Sequence, residues 1–151
     1  WLWCSAGGFW TWHSWDGCEG IDETGYAAPG QEFLKPMADF FRALPFWELS
    51  PNYTALTADQ PGIVWATLAR PDRSVVVMYL CVRTTGQVAE AAAAQVRLPA
   101  GNYRITLQRP SDLAVVLTVD HRSGGSNQSD RLVLPDFTDD MVVTIRKMGR
   151  F

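Results

Sequence analysis

Beyond residue 61, apolar and polar positions alternate in short runs. Tyr103, Ile105 and Leu107 fall on one side of an extended segment, with Arg104, Thr106 and Gln108 on the other. Val115, Leu117 and Val119 repeat the pattern, as do Met141, Val143 and Ile145. A period of two places successive side chains on opposite faces of a strand. The pattern predicts strands over 62–69, 74–82, 94–98, 102–109, 113–120, 130–134 and 140–147. Turn chemistry separates them: Arg70-Pro71-Asp72, Pro99-Ala100-Gly101-Asn102, Arg109-Pro110-Ser111-Asp112 and Ser123-Gly124-Gly125-Ser126-Asn127. Short strands in this rhythm, over about 90 residues, predict an antiparallel β-sandwich. The run Ala89-Glu90-Ala91-Ala92-Ala93-Ala94 favours helix by propensity but sits among strands, so a loop or sheet edge is expected there.

Residues 1–60 follow a different grammar. Phe33, Leu34, Met37, Phe40, Phe41 and Leu44 recur at helical spacing and predict a helix over about 31–44 with one wide apolar face. Pro36 implies a kink or a start near Lys35, and Pro45 ends the helix. Ahead of it, 4–12 reads as a strand and 13–30, rich in glycine and polar residues, as a loop. One strand and one helix cannot bury two apolar faces by themselves. Strand, long loop and returning helix match the last βα unit of a (β/α)8 barrel, with the rest of the barrel upstream. The alternative is a helix packed on the outside of the sandwich. The polar stretch Thr57-Ala58-Asp59-Gln60-Pro61-Gly62 marks a boundary between domains 1–60 and 61–151. The fold class expected is therefore the last βα unit of a truncated (β/α)8 barrel followed by an all-β antiparallel sandwich. The chain reads as the tail of a larger protein that packs against the remaining barrel.

Composition narrows the function. Apolar residues make up 47% and charged residues 19% of the chain, as in a globular protein. Net charge is −3, from an acidic first segment and a mildly basic second one, without the basic patch or motif that nucleic-acid binding requires. No apolar run approaches the ~20 residues of a membrane span. Cys4, Cys18 and Cys81 lack C-x-x-C spacing, and with His13 and His121 they form no zinc pattern, so no metal or cofactor is expected. Cys4 and Cys81 sit in apolar runs as small buried hydrophobes, and a Cys4–Cys18 disulfide is an option only in an oxidising compartment.

The order of motifs is informative. Gly7-Gly8-Phe9-Trp10-Thr11-Trp12-His13, a loop, Pro29-Gly30 and an amphipathic helix ending in Leu44-Pro45-Phe46-Trp47-Glu48-Leu49-Ser50-Pro51 resembles the closing unit of the apiosidase-like, "collagenase-like" glycoside hydrolases. Those enzymes have a (β/α)8 barrel followed by a small C-terminal sandwich often labelled a collagen-binding domain. Ser74–Val82, the turn from Leu98 to Tyr103, Arg109-Pro110-Ser111-Asp112 and the stretch Leu134–Val143 are similar to that sandwich. Nothing in the residues points to collagen. The resemblance implies a hydrolase of plant or microbial poly- or oligosaccharide, extracellular or periplasmic, working through two carboxylates at earlier barrel strands. Those carboxylates would precede Trp1, so no residue of this chain is assigned to catalysis and the chain alone is expected to be inactive.

Five tryptophans crowd the first fifteen residues. Tryptophan offers a broad flat surface for the CH face of a sugar. In a barrel, the end of the strand and the following loop face the active site, which makes Trp10, Trp12, His13, Trp15 and Asp16 the candidate substrate-binding residues. Trp10 or Trp12 would form a stacking platform and His13 would hydrogen-bond a sugar hydroxyl; the competing reading is that both tryptophans fill the barrel interior. Asp16, Glu19, Asp22 and Glu23 suggest acid–base work or a hard cation, but lack the spacing of a calcium loop and read best as a solvated acidic loop. Asp139-Asp140 reads as the turn into the last strand. Phe46 and Trp47 read as packing between barrel and sandwich, and Trp65 as core. With Tyr79 and Tyr103 in apolar strands, the sandwich shows no exposed aromatic row. The alternative function is a non-catalytic carbohydrate- or surface-binding sandwich; a viral or adhesin structural sandwich is a weaker third.

Overall fold

The structure, a computed structural model, describes residues 1–8, 31–58, 60–125 and 129–149. Among the described residues, helices α1 (Leu2–Ser5) and α2 (Gln31–Arg42) come first, and a 3-10 turn at Phe46–Glu48 follows. The strands are β1 (Ser50–Pro51), β2 (Leu56–Ala58), β3 (Ile63–Ala69), β4 (Val75–Val82), β5 (Val88–Ala89), β6 (Ala93–Val96), β7 (Gly101–Gln108), β8 (Val115–Ser123), β9 (Asp130–Val133), β10 (Phe137–Thr138) and β11 (Asp140–Lys147). A six-stranded sheet runs β1-β3-β4-β11-β7-β8, a three-stranded sheet β2-β6-β9, and β10 pairs with β5. Every pairing is antiparallel.

All seven strands expected from alternation form, with ends shifted by up to three residues. The two short strands β1 and β2, which precede Gln60, belong to the same sheets. Between the layers lies one core: Val76, Met78 and Leu80 from β4, Tyr103, Ile105 and Leu107 from β7, and Met141, Val143 and Ile145 from β11 meet Leu56, Ala94 and Val96 of the small sheet. Thr67 Oγ1 donates to the Leu56 carbonyl at 2.9 Å and ties the two sheets across that core. The Ala89–Ala94 run is not helical; it splits into β5, a turn with Ala91 at φ 50°, and β6. Pairing on both sides of β6 outweighs alanine's helical preference.

β4 is buried along both faces from Val75 to Leu80. Such an unbroken apolar run belongs to a strand covered on both sides. Its second face is covered by the N-terminal segment: Val75, Val77 and Val142 pack with Phe40 and Leu44, and Trp1, Phe41 and Leu113 join them. Helix α2 thus lies on the outer face of the six-stranded sheet, the alternative placement named above. Pro36 lies within the helix, which begins at Gln31 and not near Lys35. The helix stops at Arg42, before Pro45.

The strand expected over 4–12 does not form where it is described. Leu2–Ser5 is a helical turn closed by Gly7 and Gly8: the Gly7 amide donates to the Cys4 carbonyl at 3.0 Å and the Gly8 amide to that of Trp3 at 3.0 Å. These paired bonds are a Schellman cap, which requires a left-handed residue at its turn. Gly7 supplies it with φ 88°. Trp1, Cys4 and Ser5, spaced as one helical face, turn inward, while Trp3 is exposed. Cys4 is a buried thiol, unbonded among the described residues, and burial raises its pKa; the Cys18 half of the suggested disulfide lies outside the described residues.

β8 departs from expectation on burial. Leu107 and Leu117 are register partners, yet Leu107 is fully buried and Leu117 is 36% exposed, with Val115 also exposed. The reason is width: β8 is the outer edge of a six-stranded sheet facing one of three strands. The small sheet reaches it mainly through His121 Nε2 and Asp130 Oδ2, 3.1 Å apart.

Candidate functional site

Trp10, Trp12, His13, Trp15 and Asp16 lie outside the described residues, as do Glu19, Asp22, Glu23 and Cys18. What the structure does place is the sheet face onto which the N-terminal segment folds. The cross-strand register of β11 with β7 arranges that face in rows: Val142 opposite Gln108, Thr144 opposite Thr106, and Arg146 opposite Arg104. β4 extends them with Tyr79, Val77 and Val75, and β8 adds Thr118 beside Thr106 and Asp120 beside Arg104. The β4 half is apolar and covered, the β7 half polar.

Helix α2 overhangs the junction between the halves and leaves a trough of about 400 Å³, within the ~300–1,000 Å³ usual for small-molecule sites. Asp39, Phe40, Ala43 and Leu44 form its roof, Leu113 an end wall, and Arg104, Thr106, Gln108, Thr144 and Arg146 its floor. Lys147 and Met148 complete the lining at the end of β11. Leu113 holds φ 60°, a left-handed conformation that leucine adopts only under constraint. Its amide donates to the Arg109 carbonyl at 2.9 Å, and Gln108 Nε2 donates to its carbonyl at 2.9 Å.

The charge of the trough is positive. Arg104 Nε donates to Asp120 Oδ1 at 3.0 Å, so that guanidinium is partly neutralised from β8. Arg146 donates one bond, to the Ala43 carbonyl at 3.2 Å beyond the C-terminal end of α2. Asp39 is engaged by Lys35 and Arg42 on its own helix. Thr144, 6% exposed, carries a buried hydroxyl without a hydrogen-bond partner.

The other polar contacts are structural. Asp139 at φ 64° and Asp140 open β11, as expected; the Asp139 side chain accepts from the Gly86 amide, and Asp140 Oδ2 accepts from the Tyr79 hydroxyl at 2.8 Å. Burial pushes the Tyr79 phenol up, helped by the nearby carboxylate, and burial raises Asp140 although the Tyr79 bond opposes it. Trp65 is half-buried against the core and 5.8 Å from the Tyr53 ring. Phe46 meets Phe41 edge-on at 5.0 Å, while Trp47 is 82% exposed. Among the described residues no group of three or more His, Cys, Asp or Glu side chains could hold a metal ion, and no helix is long and apolar enough to cross a membrane.

No protein-family model and no curated protein matches the chain. Solved structures do. A chain described as a glycoside hydrolase superposes with a TM-score of 0.54 at 14% identity, over 82% of this chain and 26% of the other. Alpha-L-fucosidase isoenzyme 2 from Paenibacillus thiaminolyticus aligns at 15% identity over 83% of this chain and 19% of its own, with a TM-score of 0.44. This chain therefore spans about a quarter or less of those proteins. The first likeness shows that the β-sandwich described here is a fold that a glycoside hydrolase also carries.

The trough was missed by sequence reading because its parts come from three distant segments. One signal was available: Arg104, Thr106 and Gln108 form an unbroken polar face in a central strand, and Thr144 and Arg146 interrupt an otherwise apolar one.

Proposed function

We propose that the chain is a C-terminal part of a glycoside hydrolase of the apiosidase-like kind, acting on plant or microbial poly- or oligosaccharide in an extracellular or periplasmic setting. In this reading residues 1–60 join a (β/α)8 barrel, earlier in a longer chain, to the accessory sandwich. The barrel supplies the catalytic carboxylates; Trp10, Trp12, His13, Trp15 and Asp16 contribute to its sugar-binding rim; Trp47 packs between the two. The observation that carries the reading is the match of 82% of this chain to 26% of a glycoside hydrolase, the proportion of an appended domain.

The test uses the longer protein. Glycan hydrolysis by it, with none by residues 1–151 alone, supports the reading, and Trp12→Ala is expected to raise KM for the cleaved glycan. Unchanged KM and kcat would remove Trp12 from the rim, and a longer chain without a barrel would remove the hydrolase. A second reading, a non-catalytic carbohydrate-binding sandwich, is favoured by the polar trough on the sheet face.

A further inference from the structure

We propose that the trough between α2 and the outer face of β7 and β11 is a binding site for a carboxylated sugar of uronate type. The carboxylate half of this inference stands on the trough's charge; the sugar half rests on the carbohydrate-related reading above. Arg104 and Arg146 occupy directly opposed positions on adjacent antiparallel strands. Like charges so placed repel, and the single bond from Arg146 to the Ala43 carbonyl leaves most of that guanidinium's donors unused. Asp120 relieves Arg104 from the far side, whereas Arg146 retains donors beyond its bond to Ala43. A carboxylate between them converts the repulsion into charge-assisted hydrogen bonds in the planar geometry that guanidinium favours.

The hydroxyl of Thr144 makes the second, independent argument. A buried hydroxyl without a partner costs free energy, and valine would fill the same space without that cost. Thr144 lines the trough, beside Thr106 and one row from Gln108, whose Nε2 is committed to Leu113. Two threonine hydroxyls and an amide oxygen along one wall suit the hydroxyls of a sugar ring. Phe40 and Leu113 offer the apolar surface that its CH face requires.

The test is an NMR titration of the isotope-labelled full chain with D-galacturonate, its methyl ester, D-galactose and acetate. The expected result is saturable shifts confined to α2, β7 and β11 with galacturonate, and at least about tenfold weaker binding of each comparator, because ester and galactose lack the charge and acetate the ring. Thr144→Val should weaken galacturonate binding while leaving Tm unchanged or raised, a combination that a merely structural threonine would not give. Arg146→Gln should weaken binding about tenfold, and Arg131→Gln, on the other sheet, should not. Absence of saturable shifts, equal binding of the methyl ester, or unaltered binding by Thr144→Val overturns the site. Equal binding of acetate overturns the sugar part. Hydrolysis of glycans by the longer protein is read separately, so failure here leaves that reading standing, and failure there leaves the carboxylate site standing.

Discussion

Trp1 lies flat against Tyr79, with ring centroids 5.9 Å apart and planes 8° from parallel, and the same tyrosine hydroxyl reaches Asp140 at 2.8 Å. The pair joins the first residue of the chain to the middle of the six-stranded sheet. Phe40 and Phe41 of α2 approach the same indole at 5.1 and 5.7 Å. The N-terminal segment is thus held to the sheet by an aromatic cluster, with the Tyr79–Asp140 bond as its polar anchor.

Tyr79→Phe keeps the ring and removes the donor. Burial already raises Asp140, and the Tyr79 bond works against that rise; its loss should raise the pKa of Asp140 further. A carboxyl with a folded-state pKa above its unfolded value weighs on stability fully above the folded pKa, and that burden disappears as pH falls through it. Tyr79→Phe should therefore cost about 1 kcal/mol or less at pH 7, since Asp140 keeps partial contact with water, and less at pH 4. Carboxyl titration by NMR, with Tm at both pH values, checks this; an equal deficit at both would refute the assignment.

Asp112 behaves in the opposite sense. Arg109 and the Ala114 amide hold its carboxylate down to about 2. A depressed carboxyl contributes stability above its unfolded pKa, near the ordinary 3.8, and loses it as pH falls towards the folded value. Asp112→Asn should loosen the 109–114 turn at neutral pH and make no difference below about pH 2. Faster amide exchange at Ala114 in the variant, converging with wild type in acid, is the expected readout.

Gly7→Ala tests the helical cap that replaces the expected strand. At φ 88° an added Cβ is strained, and it would stand 2.7 Å from Pro51 Cγ. The cost should be at least about 1 kcal/mol, accompanied by loosening of Trp1 from Tyr79. A lowered Tm together with a shifted Trp1 indole resonance is expected; an unchanged indole would detach α1 from this argument.

How far the fold was legible varied with the kind of signal. Strands β3, β4, β7 and β11 were readable because their core face repeats every second residue, and cross-strand pairing holds them to that register. The double burial of β4 was visible in Val75-Val76-Val77-Met78-Tyr79-Leu80. Residues 4–8 differ from the expected strand because Gly7-Gly8 after a short apolar stretch caps a helical turn, and an apolar run followed by two glycines fits either conformation. The trough was not legible: it exists only where α2, β7 and β11 meet, and no local period encodes that meeting. Nor does alternation report what lies opposite a face, which is why β8 reads like β7 and is buried so differently.

Leu107 and Leu117 turn that last difference into a measurement. They are register partners on one face, one fully buried in the core and the other 36% exposed at the edge. Leu107→Ala leaves a cavity among Leu56, Met78 and Val143, residues of the same core cluster, and should cost about 2–5 kcal/mol. At Leu117, water fills the space that truncation opens, so the cost should stay below about 1 kcal/mol. Denaturant unfolding of the two variants checks the contrast. Comparable losses at both positions would mean that something covers the β8 edge in solution, and the two-layer account of this sandwich would then have to include it.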